Sequence, residues 1–384
     1  IAAVIEDYLG YAGRQVFLLF CWATLVLVIA VFAQLVARTF AAEPAVATIA
    51  LWFILLACPF GWLTYRRGLR LGTGTAIFLP LMLLATWMGA RFALPALSGN
   101  TWLVLLLAYG ALASILPVWL LLQPRDYLNA FLLYALMLFG LLGIFLVAPT
   151  LRLEAFTGWK PLDFGQQRLG LFPAMFVTVA CGACSGFHAL VASGTSSQQV
   201  AHEGHILPVA YGSMLVEGVL GIMALISVAY LGMPELREMM RGATPVEAFA
   251  RGLAGFGARV GVPEASGRVG VMLAVTACLL TTLDTATRLA RFTWQELCTA
   301  ASHDTQPRPS RAVRVCAHPV SATLLAVSLA ALLAATGGAT RIWVVFGASN
   351  QLLAALTLLG VTLYLARRHL SVWPTLPPMI FMFS

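Results

Sequence analysis

The most regular feature of the chain is a series of long apolar runs separated by short polar connections. A helix that crosses a bilayer needs about 20 predominantly apolar residues, and ten runs of roughly this size are present. They cover approximately residues 16–37, 45–65, 75–91, 101–122, 128–148, 171–192, 206–230, 267–292, 316–336 and 341–366. Transmembrane strands are shorter and alternate apolar with polar positions, which these runs do not. The pattern predicts an all-α polytopic membrane protein.

The composition narrows the class of protein further. The chain has 384 residues, of which 60% are hydrophobic and 10% charged, whereas a soluble domain carries about 25% charged residues. Because the apolar excess runs along the whole length, it excludes a disordered chain, a disulfide-rich secreted scaffold and a soluble enzyme with one anchor. The seven cysteines lie mostly within apolar runs, where a buried free thiol is the ordinary state.

The net charge of +8 is carried by arginines that lie in small groups between the apolar runs. One basic patch would suggest a nucleic-acid partner, and this dispersed pattern predicts none. The connections on one side contain Arg66, Arg67, Arg70, Arg308, Arg311, Arg314, Arg367 and Arg368, and those on the other side hold Arg38, Arg91 and Arg341 singly. The positive-inside rule therefore predicts a cytoplasmic chain start and a cytoplasmic end of the tenth helix.

The longest polar excursion covers residues 231–266 and is predicted to lie outside the membrane. Within it, Thr244, Pro245 and Glu247 form a capping box with proline at the first helical position. A short amphipathic helix is therefore predicted over about 246–256. We expect it to lie on the surface, with a gating role as the lesser alternative.

The densest group of polar and small residues lies in 181–195, inside the sixth apolar run. Three glycines and three hydroxyl residues weaken a helix there, and broken membrane helices are tolerated where the freed backbone lines a cavity. The stretch is therefore predicted to be a broken helix at a substrate or ion site, with close helix packing through small residues as the alternative. The predicted site residues in it are Gly182, Ser185, Gly186, His188, Ser193 and Thr195.

His188 suits either proton transfer or a neutral hydrogen bond, because its ordinary pKa lies close to physiological pH. Cys181, Cys184 and His188 share a helical face, but zinc needs a fourth ligand and none is evident, so neither metal nor cofactor is predicted. Ser185 lies outside a G-x-S-x-G elbow, which leaves a hydrolase nucleophile weakly supported.

Charged side chains at membrane depth are costly and are functional candidates for that reason. Glu217 lies near the middle of the seventh run and is predicted to carry a coupling proton or cation, with a protonated structural role as the alternative. Asp284 and Arg288 are four residues apart on the eighth run, so they are predicted to pair, in a coupling, gating or structural role.

Asn350 and Gln351 lie in the tenth run and must find hydrogen-bond partners, either on another helix or on a substrate. No P-loop sequence is present, which argues against an ATP-driven pump. A transporter of this kind would draw its energy from an ion gradient.

Several long stretches resemble the carbon starvation protein A (CstA) family of bacterial inner-membrane transporters. They follow the order of the family and are spread over most of the chain. The stretches are LPVWLLLQPRDYLN (116–129), ACGACSGFHALVASGT (180–195), YGSMLVEG (211–218), TTLDTATRLARFTWQEL (281–297) and VFGASNQLL (345–353).

The resemblance implies a secondary transporter, not an enzyme. It implies ion-coupled uptake of peptides or pyruvate across the inner membrane, a link to the carbon starvation response, and a fold related to the amino acid, polyamine and organocation transporters. Glu217, Asp284 and Arg288 would then serve coupling or gating, and the lipid bilayer, a small substrate and a coupling ion would be the partners. An intramembrane hydrolase using Ser185 and His188, and a membrane sensor that binds without translocating, are the alternatives.

Two departures from the family pattern affect these expectations. The family carries a Gly-rich membrane segment ahead of the position where this sequence starts, and a further C-terminal part, so a longer protein is expected. Cys184 replaces a larger aliphatic residue, and Ser196, Ser197 and Gln198 replace a Thr/Pro/Lys-like sequence. The identity of the substrate therefore stays open.

Overall fold

The computed structural model describes residues 2–156, 158, 162–164, 167–169, 179, 182–240, 244–300, 311–336 and 339–383. Apart from a short antiparallel hairpin of β1 (Leu162–Phe164) and β2 (Gln167–Leu169), the described secondary structure is helical. The helices are α1 (Ala2–Ala42), α2 (Pro44–Arg67), α3 (Leu71–Arg91), α4 (Gly99–Ile115), α5 (Leu122–Val147), α6 (Gly186–Gly194), α7 (Ser213–Leu231), α8 (Met233–Met240), α9 (Pro245–Arg259), α10 (Glu264–Ala300), α11 (Arg311–Cys316), α12 (Pro319–Thr336), α13 (Ala339–Arg367) and α14 (Leu376–Phe383).

The predicted all-α membrane fold is confirmed. Eight helical segments of the described residues are long and apolar enough to cross a bilayer, and they match eight of the ten predicted runs. The fourth run is shorter than predicted, because α4 ends at Ile115 and Leu116 is extended ahead of Pro117. In the sixth run, residues 171–178, 180 and 181, including Cys181, lie outside the described residues.

The centre of the bundle is formed by α1 and α10, which pack against each other along much of their length. Leu25 and Ile29 of α1 and Leu283 of α10 are fully buried in this core. The rings of Trp22 and Trp294 meet with their centroids 4.6 Å apart. The most buried apolar surface of the molecule therefore lies along these two helices.

Ion pairs join α1 to α10 at both ends of the bundle. At one end, Arg14 contacts Glu6 at 2.6 Å and Glu296 at 3.0 Å. At the other end, Arg268 contacts Glu43, in the turn after α1, at 2.6 Å. These charges lie where the polar ends of the helices begin, so the pairs fix the two central helices against sliding.

Two arginines of the predicted cytoplasmic side lie against aromatic rings. The guanidinium of Arg367, at the end of α13, lies 4.3 Å from the ring centroid of Tyr8 near the chain start. Arg66, at the end of α2, lies 5.3 Å from the ring centroid of Trp119. The assignment of these arginines to the cytoplasmic side stays a prediction.

The helix predicted over 246–256 is present as α9, and the Thr244 hydroxyl accepts the Glu247 N–H at 3.3 Å as its cap. Leu253 and Phe256 on its apolar face are fully buried, whereas Arg251 on its polar face is exposed. The position of the helix at the surface stays a prediction. A Cβ added to Gly143 of α5 would lie only 2.9 Å from the Phe256 Cβ. Because Gly143 has no side chain, the apolar face of α9 packs closely against α5.

The contact between α2 and α3 gives a test of the helix packing. A Cβ added to Gly89 would lie 2.5 Å from Ile49 Cγ1 and 3.1 Å from its backbone N, whereas one added to Gly72 meets nothing within 4 Å. We expect Gly89→Ala to lower stability by about 1–3 kcal/mol through overpacking. Gly72→Ala is the matched control on the same helix and should be neutral or slightly stabilising. Thermal unfolding in detergent measures both, and equal melting temperatures would contradict the packing.

Candidate functional site

A cavity of about 960 Å³ opens between α6 and the segment that leads into α7. Its lining includes eight polar side chains. The polar side chains that line it are Ser185, His188, Ser196, Ser197, His202, Glu203, Ser213 and Glu217. Polar groups that converge on one concave space are typical of a binding site.

One wall of the cavity is formed by the predicted helix break, which the structure confirms. Gly182 and Ala183 are helical, Cys184 and Ser185 are not, and the helix resumes at Gly186. The Ser185 hydroxyl accepts the backbone N–H of His188 at 3.4 Å, as an N-cap does. The cap turns the chain so that α6 begins beside the cavity.

The start of α6 is held by Asn350 of α13, a residue predicted to contact substrate or ion. Its Oδ1 accepts the Phe187 N–H at 2.6 Å, and its Nδ2 donates to the Ser185 hydroxyl at 3.0 Å. The Asn350 residue is fully buried, so it lies behind the cavity wall and outside the cavity itself. A Cβ on Gly186 would lie 2.5 Å from Leu353 Cβ, which makes this glycine a packing residue.

His188 and Glu217, predicted from separate runs, face the same cavity. The His188 Nε2 lies 3.8 Å from the Glu217 Oε1, and the two side chains are 60% and 54% exposed. The pair joins α6 to α7 across the cavity. Both side chains are open to small molecules, and imidazole and carboxylate groups are the usual acid–base groups of proteins.

The other predicted site residues divide into two groups. Gly182 lines the cavity, with nothing within 4 Å of an added Cβ. The Ser193 hydroxyl donates to the Ala189 carbonyl at 2.9 Å within α6, and Thr195 ends that helix. The Gln351 Nε2 donates to the Met382 carbonyl at 3.2 Å. Ser193 and Gln351 therefore serve helix structure and packing, and neither is among the residues that line the cavity.

Asp284 lies in a second polar cluster, buried among α4, α5 and α10. The Arg125 Nη1 donates to the Asp284 carboxylate, and the Tyr109 hydroxyl donates to the same oxygen at 2.8 Å. The Arg125 side chain is 2% exposed and the Asp284 side chain fully buried. A buried pair of this kind fixes helices in place, because losing either partner leaves an uncompensated charge.

The predicted pairing of Asp284 with Arg288 is wrong. The Arg288 Nη2 donates to the carbonyls of Ala113 at 2.7 Å and Leu116 at 2.5 Å. The carbonyl of Ala113 would ordinarily accept the N–H of residue 117, which is a proline and has none. Arg288 supplies the missing donor at the end of α4, and Arg125 takes its place beside the aspartate.

Arg125 is a buried charged residue that the sequence pattern missed. The fifth predicted run begins at residue 128 and leaves Arg125 in the connection before it, whereas α5 of the structure begins at Leu122. Pro124 lies in the first turn, where a helix needs no backbone N–H. A proline shortly before an apolar run was therefore the signal that could have extended the helix to include this arginine.

The buried pair gives a sharp test. Arg125→Leu or Asp284→Leu alone should lower stability by about 3–5 kcal/mol, because each leaves a buried charge without its partner. The double variant should recover most of that loss. The Asp126 side chain is 44% exposed and lies 3.8 Å from the same arginine, so Asp126→Asn is the mild control. Thermal unfolding in detergent measures the cycle, and additive losses in the double variant would show that the pair is not coupled.

Comparison with known proteins places the chain in a family of membrane proteins. The peptide transporter CstA of Campylobacter jejuni is 30% identical over 98% of this chain and 62% of its own length. The peptide transporter CstA of Escherichia coli is 28% identical over 98% of this chain and 62% of its length. The pyruvate/proton symporter BtsT of Escherichia coli is 32% identical over 59% of this chain and 33% of its length. The chain thus spans less than two thirds of these relatives.

A family model described as carbon starvation protein CstA matches residues 1–244 and 235–384. These ranges contain the helix break, the cavity and the buried cluster described above. They also contain all five stretches on which the resemblance was based. The chain belongs to the CstA family of carbon starvation proteins.

Proposed function

We propose that the chain forms the substrate pathway of an ion-coupled secondary transporter in the bacterial inner membrane. The substrate is a small carboxylate-bearing carbon source, a peptide or pyruvate, as the names of the relatives suggest. The observation that carries the proposal is that His188 and Glu217 face one cavity at a helix break. The multi-pass bundle and the family membership are consistent with transport.

The pair offers a reason for proton coupling. A carboxylate substrate brings a negative charge into a low-dielectric region, which costs free energy unless a positive charge accompanies it. For a monocarboxylate such as pyruvate, a proton bound by His188 or Glu217 supplies that charge, and the substrate and proton then cross together without net charge. A zwitterionic dipeptide has no net charge, so its symport would carry the charge of the proton across the membrane. His202 and Glu203 line the outer part of the same cavity and would adjust its charge. A transporter coupled in this way would accumulate a carbon source that is scarce outside the cell, as uptake under carbon starvation requires.

The shape of the cavity suits a small ligand that contacts both side chains and backbone. Gly182, Gly218 and Gly221 all line it, and an added Cβ at each would meet nothing within 4 Å. Because these glycines have no side chains, their backbone peptide groups are accessible from the cavity and the cavity stays wide. The first N–H groups of α6 are taken by Asn350 and Ser185. We therefore assign substrate contact to His188 and the cavity hydroxyls, not to the end of α6.

The hydrolase alternative gains no support from the geometry. It requires the Ser185 hydroxyl to hydrogen-bond to the His188 ring, whereas the described contacts of that hydroxyl are with the His188 backbone and Asn350. A fluorophosphonate probe would label Ser185 only if the serine were activated. Saturable binding of the substrate without its accumulation in proteoliposomes would favour a sensor over a transporter.

Uptake into proteoliposomes tests the proposal directly. We expect the complete protein to accumulate labelled pyruvate or a labelled dipeptide when the outside is made acidic, and to lose this accumulation when a protonophore removes the gradient. Both substrates are measured in the same preparation, with empty liposomes as the blank. Failure of both to respond to the pH gradient would contradict proton-coupled uptake.

The coupling role is tested by Glu217→Gln, which removes the titratable group with little change in shape. We expect gradient-driven accumulation to be lost while substrate exchange across the membrane is retained, because exchange needs binding but no net proton movement. Glu264 is exposed at the start of α10, away from the cavity, so Glu264→Gln is the matched control. A Glu217→Gln protein that still accumulates substrate would remove this role.

A further inference from the structure

Two arginines near one end of α10 are buried without complete hydrogen bonding. Arg288 is 8% exposed and Arg291 is 7% exposed. The Nε of each is buried and has no acceptor within the described part of the chain. Residues three apart on a helix are neighbours, so the two guanidinium groups occupy the same face. Neither arginine lines the cavity of His188 and Glu217.

The charges of this region do not balance. Arg125, Arg288 and Arg291 contribute three positive charges, all on side chains that are almost completely buried. Asp284 and Asp126 contribute two negative charges, and Asp126 is the more exposed of them. One positive charge is left over in the described cluster. A buried charge without a counterion is costly, so the arrangement calls for one negative charge from outside.

The unsatisfied donors show where that charge would bind. The Arg288 Nη2 already donates to the carbonyls of Ala113 and Leu116. These hydrogen bonds satisfy the donor, but a neutral carbonyl does not neutralise the positive charge of the guanidinium. Arg291 lies with its guanidinium carbon 4.5 Å from the ring centroid of Phe292, a contact that leaves its N–H groups without an oxygen. Donors of both arginines are thus left for a shared acceptor.

We propose that Arg288 and Arg291 bind one small monovalent anion, a carboxylate or a halide, beside the end of α4. A guanidinium fork matches the two oxygens of a carboxylate, so a small carboxylate is preferred over chloride. Less than a tenth of either residue is exposed, so the ligand that we propose is a small anion. The site is independent of the transport cavity and stands whether or not that proposal holds.

The anion is detected by thermal unfolding of the purified protein at constant ionic strength. Sodium gluconate serves as the baseline because its anion is bulky, and it is replaced stepwise by sodium acetate, sodium pyruvate or sodium chloride. We expect a saturable rise in Tm with acetate, pyruvate and chloride, reached at lower concentration with the carboxylates. A Tm that depends on ionic strength but not on the identity of the anion would overturn the proposal.

Variants of Arg291 test whether the anion binds at this site. Arg291→Gln should weaken acetate binding roughly 10- to 100-fold, the loss expected for one charge-assisted hydrogen-bonding group. It should also raise Tm in gluconate alone, because it removes the uncompensated charge, whereas loss of a merely structural residue would lower it. Arg291→Lys keeps the charge without the fork and should bind acetate with intermediate affinity.

Arg70 is an exposed arginine at the start of α3, and Arg70→Gln is the control for a loss of net charge. It should leave the acetate titration unchanged. If Arg291→Gln fails to fold, the titrations of the wild-type and Arg291→Lys proteins still decide the question. An acetate response that is the same in wild-type, Arg291→Lys and Arg291→Gln proteins would place the anion elsewhere and refute the site.

Discussion

The structure depends on one constraint, which is that a backbone N–H or carbonyl without a partner is costly inside a bilayer. Two interruptions of membrane helices are matched by polar side chains from distant parts of the chain. Where α4 ends before Pro117, Arg288 reaches the free carbonyls of Ala113 and Leu116. Where α6 begins, Asn350 accepts the free N–H of Phe187. Arg288 and Asn350 are therefore buried polar residues that the broken helices explain.

This constraint separates two kinds of polar residue that look alike in the sequence. Asp284 and Glu217 are both carboxylates within apolar runs. Asp284 is fully buried and accepts from Arg125 and Tyr109, whereas the Glu217 side chain is 54% exposed beside His188. The first belongs to the frame of the molecule, and the second belongs to a space that other molecules can enter.

The sequence was sufficient for the features that depend on local pattern. The apolar runs, the capped helix at Thr244 and the break ahead of Gly186 follow from composition over neighbouring residues. The pairing of Asp284 with Arg125 could not be predicted in this way, because the two are far apart in sequence and a nearer arginine was present. Helical spacing shows that Asp284 and Arg288 are neighbours. It does not show the free carbonyls at the end of α4, which accept the hydrogen bonds of Arg288 instead.

The same reasoning explains why coupling is assigned to the cavity and not to the buried cluster. A carboxylate that takes up a proton loses its charge, and with it the strength of every charge-assisted hydrogen bond it accepts. For Asp284 this would leave Arg125 uncompensated in the core and would loosen the contacts among α4, α5 and α10. Glu217 faces open space and a histidine, so a proton can arrive or leave there without breaking a contact that holds the helices. Proton coupling as proposed requires many protonation changes without unfolding, and this requirement favours Glu217 over Asp284 as the proposed coupling group.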